Sequence, residues 1–549
     1  MPNCKQCQNS FEIYPEDKAF YNRIDVPEPT LCFDCRQQRR YIWRNERTFY
    51  DRKCDLCKKP TVSIYSPNKP FKVYCQDCWW SDLWDPLDYG QDFDFNKPFF
   101  EQFKELQQKV PRIALVSKNS TNAQYANHSG DNKNVYLSSV IWYCENIYYS
   151  NWLMYSQDCF DCTYIYKNTQ VCYELTTSRD CFHCQYSNLL FDCSDCFFSY
   201  DLRGCKNCFM CHNLRHKEYC ISNKEHSKEE YERKMKEIDL GSHKQVEGFR
   251  KKYEDMVKKK AIHRNIIEKS ENCSGNHIFL SKNCHNAFDI NQMENCKYIV
   301  SSLEAKDCYD GYHFGFNSEL LYEIHAVTNG YNCMFTHFSY DNQHLQYCDS
   351  CHDSHDLFGC VCMKKNPYSI FNKKYSEADY KKLKTKIIAH MRKTGEYGEY
   401  FPHKLSPFGY NETVGAFYMP LSKSEVLEKK WNWEDNIPGT FKNETLKTKD
   451  ISDNIKNIKD DILEEVLVCE KCERNYKLIK EELEFYRKYD IPVPRWCSEC
   501  RYLRRMKQRQ PRKVWPTACN KCKKDILAPY SQNRGEKVYC EDCYRQEVY

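Results

Sequence analysis

The chain has 549 residues and no apolar run near the roughly 20 residues needed to cross a bilayer, so no membrane span is expected. It opens MPNCKQCQNS, without a basic start followed by an apolar stretch, so no secretory leader is expected either. There is no Gly-rich phosphate loop, no nucleophile elbow and no HExxH pair. Acidic residues are scattered rather than gathered, and the expectation is a protein that is not an enzyme. Charge of one sign is lacking too. The formal net charge is only +5, which names no partner.

What the sequence has in excess is cysteine and aromatic residues: 37 Cys, 43 Tyr and 30 Phe. The aromatic content is too high for a disordered chain, and the length predicts three to five packed units. An odd cysteine total without a leader fits disulfide pairing poorly. It predicts a reducing, cytoplasmic location, where paired cysteines more often hold metal.

The cysteines form two matching ladders. The first is Cys4, Cys7, Cys32, Cys35, Cys54, Cys57, Cys75 and Cys78; the second is Cys469, Cys472, Cys497, Cys500, Cys519, Cys522, Cys540 and Cys543. Successive pairs are separated by 24, 18 and 17 residues in both, every cysteine is offset by 465, and Phe20/Phe485, Tyr21/Tyr486 and Arg36/Arg501 keep the same register. Two Cys-x2-Cys turns supply four thiolates to one tetrahedral ion, so four structural zinc sites are predicted. All 17 histidines lie between His128 and His403, so these sites are all-cysteine. Iron is the chemical alternative in such a site; metal-free cysteines are the other.

CDLCKK…KVYCQDC and CNKCKK…KVYCEDC resemble the family known as the CxxC-x17-CxxC domain. The segments from Cys4 to Arg40 and from Cys472 to Arg505 resemble zinc-ribbon domain proteins, which pair CxxC with an aromatic stretch, a proline and then CxxCR. The resemblance covers the two termini and implies zinc binding without a specific activity. Such knuckles often carry Gly after the second cysteine, and Gly is missing here. Gln8-Asn9, Lys58-Lys59, Glu473-Arg474 and Lys523-Lys524 stand there instead, so a positive φ is expected at some strain.

Between the paired sites run two basic stretches, residues 36 to 53 and 501 to 515, each with seven Arg or Lys and interleaved aromatics. Guanidinium groups pair with phosphates and rings stack on bases. Arg36, Arg39, Arg40, Arg44, Arg501, Arg504 and Arg505 are therefore candidate nucleic-acid contacts, against the reading of a linker or a protein contact.

In the middle of the chain proline is nearly absent, and twelve-residue units recur: CFHCQYSNLLFD, CSDCFFSYDLRG and CKNCFMCHNLRH from Cys181. A short period without room for helices predicts a β-solenoid, a right-handed parallel β-helix with interior ladders of small residues. Most of the 21 cysteines outside the terminal ladders are expected in those ladders as small buried hydrophobes. The array is expected twice, with Cys208, Cys211, His212 and Cys220 matching Cys348, Cys351, His352 and Cys360 at an offset of 140. These two Cys3His sets are candidate extra metal sites, with ladder packing as the other reading. Ser227 and Ser376 each precede an acid by three residues and predict helix starts.

The expected fold is thus multidomain and mainly β, with tandem zinc-ribbon modules flanking a duplicated solenoid. The segments are 1–95 (zinc module), 112–226 (first half), 227–268 (helical insertion), 269–365 (second half), 366–460 (helix and linker) and 461–549 (zinc module). The expected function is a non-enzymatic zinc protein binding nucleic acid or a ribonucleoprotein. A scaffold binding protein partners through the aromatic body is the alternative, and an enzyme built on the β-helix comes third.

Overall fold

From Asn134 to Tyr164 every third residue is left-handed, with φ between 44° and 64°, in the computed structural model, which describes residues 1–530 and 535–548. The residue after each such corner points inward and is buried: Val135, Ser138, Ile141, Cys144, Ile147, Ser150 and Leu153 continue that row. Each triplet is therefore an inward residue, an outward residue and a corner. Four triplets return the chain beside itself, because Glu145 lies in parallel register with both Lys133 and Gln157, and Asn151 with both Ser139 and Thr163. The twelve-residue unit read from the sequence is this circuit.

A left-handed residue other than Gly costs roughly 1–2 kcal/mol. Asn and Asp tolerate it best, and at one corner they form a side-chain ladder. Asn122 donates to Asn134 (3.0 Å), Asn134 to Asn146 (2.8 Å) and Asn146 to Asp158 (2.7 Å). Val140 and Trp152 sit at other corners without that help and depend on burial.

Small polarisable residues line the interior for a reason visible in the hydrogen bonds. Ser150 donates to the Tyr148 carbonyl and accepts from the Cys162 amide, twelve residues on. Cys144 does the same, donating to the Trp142 carbonyl (3.2 Å) and accepting from the Ser156 amide (3.3 Å). A thiol or hydroxyl thus satisfies backbone groups that an alkyl side chain would leave buried and unpaired. None of the 37 cysteines forms a disulfide.

The chain divides into two compact units. One joins Met1–Ala114 to Asn265–Ile437 and Arg512–Val514; the other joins Leu115–Arg264 to Pro438–Pro511 and Trp515–Tyr549. The N-terminal cysteine ladder thus shares a unit with the second array, and the C-terminal ladder with the first. In the first unit the second array runs through parallel strands from Gly275–Phe279 to Pro367–Ile370.

Each array ends against a helix. Ser227 caps Lys228–Lys236 by accepting from the Glu230 amide, and Ser376 caps Glu377–Thr394 by accepting from the Asp379 amide. The rings Tyr219/Tyr231 and Tyr368/Tyr380 meet at 5.7 and 5.9 Å. These pairs, and the terminal left-handed Asn223 and Asn372, are related by an offset of 149. The expected offset of 140 is corrected to that value. Cysteines recur every three and every twelve residues, so a nine-residue slip still matches thiol to thiol.

Candidate metal centres

The first CxxC of every pair sits on the same knuckle. Cys4 accepts at its carbonyl from the Gln8 amide and donates its own amide to the Asn9 carbonyl. Cys54 with Lys58 and Lys59, Cys469 with Glu473 and Arg474, and Cys519 with Lys523 and Lys524 repeat both bonds at 2.9 to 3.0 Å. The turn demands a left-handed residue, and φ is 62° at Gln8, 63° at Lys58, 62° at Glu473 and 65° at Lys523. The strain expected from the missing glycines falls on those four residues.

The second CxxC opens a helix. Cys32, Cys75 and Cys497 are the N-caps of Phe33–Tyr41, Gln76–Trp80 and Ser498–Gln508, and Cys540 immediately precedes Glu541–Val548. Knuckle and helix start bring the sulfurs together: Cys7 to Cys32 3.7 Å, Cys57 to Cys75 3.9 Å, Cys472 to Cys497 3.7 Å and Cys522 to Cys540 3.7 Å. Within each of the four groups all sulfurs lie within 4.8 Å of one another. A tetrahedral ion with Zn–S bonds of about 2.3 Å separates its sulfurs by about 3.8 Å. The donor set fits such an ion and is far too wide for disulfides.

Backbone amides favour the thiolate at the buried first cysteine of two groups. The Cys75 amide donates to Cys54 Sγ (3.2 Å) and the Cys540 amide to Cys519 Sγ (3.3 Å). Burial raises both thiols, but backbone amides outweigh it and hold Cys54 at about 7 and Cys519 at about 6. The adjoining Cys35 thiol lowers Cys32 to about 5. The inner cysteines Cys4, Cys54, Cys469 and Cys519 are fully buried, and Cys7, Cys57, Cys472 and Cys522 are exposed. The four Cys4 groups could therefore hold metal ions, closed by four sulfurs at the edge of each unit.

The other predicted metal sets do not gather. Cys208 and Cys220 are register partners in one interior ladder, and Cys211 lines another side of the same core. Cys348, Cys351 and Cys360 are likewise interior, while His352 stacks on Tyr340 at 5.2 Å. Among the described residues, metal-ready groups form only from the terminal ladders.

The basic stretches also need correction. Arg36, Arg39, Arg40, Arg44, Arg501 and Arg505 are buried, and Arg504 nearly so. In the first unit Arg36 pairs with Asp310 (2.8 Å), Arg39 and Arg40 with Glu323 (2.9 and 2.7 Å), and Arg44 with Glu46. In the second, Arg501 and Arg505 pair with Asp161 (3.0 and 2.6 Å) and Arg504 with Glu174 (2.6 Å). The helices that begin at Cys32 and Cys497 thus press their guanidinium groups onto array acids, where a nucleic-acid backbone does not reach them. Sequence reading passed over those acids as scattered. The signal was their shared spacing: Asp161 and Glu174, like Asp310 and Glu323, are thirteen apart.

Rings complete each dock. Phe20 stacks on Tyr309 at 4.0 Å, and Phe485 on Phe160 at 3.9 Å. No helix among the described residues is long and apolar enough to cross a membrane. Compared with known proteins, the chain matches no family model, and no curated protein matches it.

Proposed function

We propose that the protein is a non-enzymatic scaffold whose four Cys4 groups hold structural zinc, each pair of ions fixing a terminal module that clamps one array, itself a four-sided β-solenoid. The observation that carries this reading is the sulfur spacing of 3.7 to 3.9 Å in all four groups, joined at the Cys32 and Cys497 groups by helices whose arginines are committed to array acids. Zinc is favoured over iron because a closed four-thiolate site suits a structural, redox-inert ion. Binding would contribute on the order of 10–16 kcal/mol per site to folding, which modules of this size need.

The nucleic-acid reading loses the seven arginines on which it rested. Protein partners are the alternative we adopt, with an aromatic surface to meet them. Tyr143 and Tyr155 stack at 5.0 Å on the second unit while each stays about half exposed, at 47% and 48%. Metal analysis of the purified chain should give four zinc ions. Exhaustive chelation should abolish near-ultraviolet circular dichroism from both modules, and a chain that kept its ordered ends without metal would defeat the proposal. In a mobility-shift assay, single-stranded RNA should bind no more tightly at low salt than to a neutral control protein.

A further inference from the structure

A cavity of about 190 Å³ lies in the second unit, lined by Tyr173, Tyr186, Val246, Arg495, Trp496 and Arg504 among others. At ~30 Å³ per molecule that is room for about six waters, below the roughly 300 Å³ where drug-sized pockets begin. One wall guanidinium, that of Arg495, has no ion-pair partner. Arg250 pairs with Glu174 (2.7 Å) and Glu247 (3.0 Å), Arg504 with Glu174 (2.6 Å) and Glu247 (3.8 Å), and Arg501 with Asp161 and Glu482 (3.0 and 3.2 Å). Arg495 is 6% exposed, and Nη2 donates only to the Ile451 and Ser452 carbonyls at 2.9 Å. Its Nη1 has no partner, and neither does Arg504 Nε. Burial lowers the pKa of Arg495, whereas at Arg250 and Arg501 the facing carboxylates outweigh burial. His243, also on the wall, is lowered by burial and then by Arg495. Glu470 is an exposed wall carboxylate, with Glu174 and Glu247 already matched.

The first unit shows what completes this arrangement. Thr30 holds the place of Arg495: the Lys5 amide donates to the Thr30 carbonyl as the Glu470 amide does to that of Arg495, both at 3.1 Å. Arg39 holds the place of Arg504. Between them sits a carboxylate, Glu399, which accepts from Thr30 Oγ1 (2.5 Å) and Arg39 Nη1 (2.7 Å). Counting back 149 residues from Glu399 gives Arg250, which lies inside the helix His243–Lys259, whereas Glu399 follows the helix Glu377–Thr394. At these positions the second unit therefore has two more guanidinium groups, Arg495 and the already paired Arg250, one fewer carboxylate, and a cavity.

We propose that this cavity binds a small organic monocarboxylate. Its carboxylate lies between Arg495 and Arg504 as Glu399 lies between Thr30 and Arg39, and its apolar part lies against Trp496 and Val246. One negative charge matches the one unpaired guanidinium, and such buried charge-assisted bonds are the strong kind.

Calorimetric titration of the metal-loaded full chain tests this. Benzoate should bind, benzyl alcohol should not, and inorganic phosphate should bind at least tenfold more weakly than benzoate. Arg495→Thr, which installs the first unit's residue, should cost at least tenfold in benzoate affinity, and Val246→Phe, which fills the space without changing charge, should do the same. Benzyl alcohol binding as tightly as benzoate, phosphate binding more tightly, or a folded Arg495→Thr chain binding benzoate unchanged would overturn the assignment. If Arg495→Thr does not fold, undiminished benzoate binding by Val246→Phe decides against it, and the wild-type comparison of benzoate with benzyl alcohol stands without either variant.

Discussion

The two units solve one docking problem with the same residues in different company. In both, a Cys4-anchored helix lays three arginines on two array acids thirteen residues apart, and a Phe stacks on an array ring. The shared partners are offset by 465 on the module and by 149 on the array. Shared chemistry cannot decide which module takes which array. The differences can. Lys297 meets Asp17 at 2.6 Å in the first unit, where the second has Tyr148 at the equivalent array position and Glu482 bonded to Tyr149 and Tyr486. The lesson is that the conserved ion pairs supply strength, while a few mismatched residues around them supply choice of partner.

The largest effect expected from breaking this correspondence comes from removing one guanidinium. Arg505→Ala removes a 2.6 Å pair and leaves Asp161 buried with Arg501 alone, whereas Arg40→Ala leaves Glu323 with Arg39 and with Arg36 at 3.9 Å and takes from Asp310 only a longer contact, at 3.4 Å, beside its pair with Arg36. Breaking a buried pair costs about 3–5 kcal/mol. In urea unfolding of the metal-loaded chain Arg505→Ala should fall in that range, and Arg40→Ala below it because two cations remain near Glu323. Equal losses would show that the docks are energetically identical despite their different crowding.

Acid should separate the units next. Burial raises Glu174, but Arg250, Arg504 and Arg505 outweigh it and hold it at about 2. A carboxylate depressed in the fold contributes stability above its unfolded pKa, about 4.3, and that stability is lost as pH falls toward the folded value. The shift is worth about 3 kcal/mol. Asp310 has the opposite sign: burial outweighs Arg36 and Arg40 and raises it, so its contribution is full below about 3.9 and declines as pH rises. Stability measured from pH 6 to pH 3 should fall more steeply for the wild type than for Glu174→Gln. Acid release of metal is common to both chains and cancels in the difference. Parallel slopes would remove Glu174 from the dock's electrostatics.

The sequence and the structure agree where chemistry is local. Cysteine spacing alone located the four Cys4 groups, because a Cys-x2-Cys turn leaves little freedom in where two sulfurs point. The twelve-residue unit was legible for the same reason. The left-handed corner every third residue was not, since Val140, Trp152 and Leu137 occupy corners and nothing in their identity announces φ > 0. The arginines misled because a guanidinium bound for phosphate and one bound for a buried carboxylate look alike in sequence. Only the array, hundreds of residues away, distinguishes them. Pairing of each module with the array it does not adjoin is a long-range choice, carried by residues such as Lys297 that no local pattern marks.

Interior cysteines allow a subtler comparison, between the thiols gathered into groups that could hold a metal and those that line the arrays. Cys172 Sγ donates to the Gln170 carbonyl (3.3 Å) and accepts from the Cys184 amide (3.4 Å), the same pair of bonds that Ser150 makes in another interior row. Cys172→Ser should preserve both bonds and change stability by less than about 1 kcal/mol. Cys172→Ala leaves the Cys184 amide unpaired and buried and should cost about 1–3 kcal/mol. Neither should alter the metal count, whereas Cys35→Ser should lower it by one.

The smallest expected effect lies at the knuckles, where the four sites are most alike. Gln8, Lys58, Glu473 and Lys523 hold φ near 63° with side chains that disfavour it. Glycine removes the Cβ clash worth roughly 1–2 kcal/mol but loosens the unfolded chain by about 0.4–1 kcal/mol, so Gln8→Gly and Glu473→Gly should each stabilise by about 0.5–1 kcal/mol in the metal-loaded chain. The gain should be equal at both ends, because the two amide–carbonyl bonds that close the turn are the same within 0.1 Å. A gain at one end alone would mean that the turns, identical in backbone, differ in how tightly their module holds them. A loss at both would mean that these side chains make contacts worth more than the strain they carry.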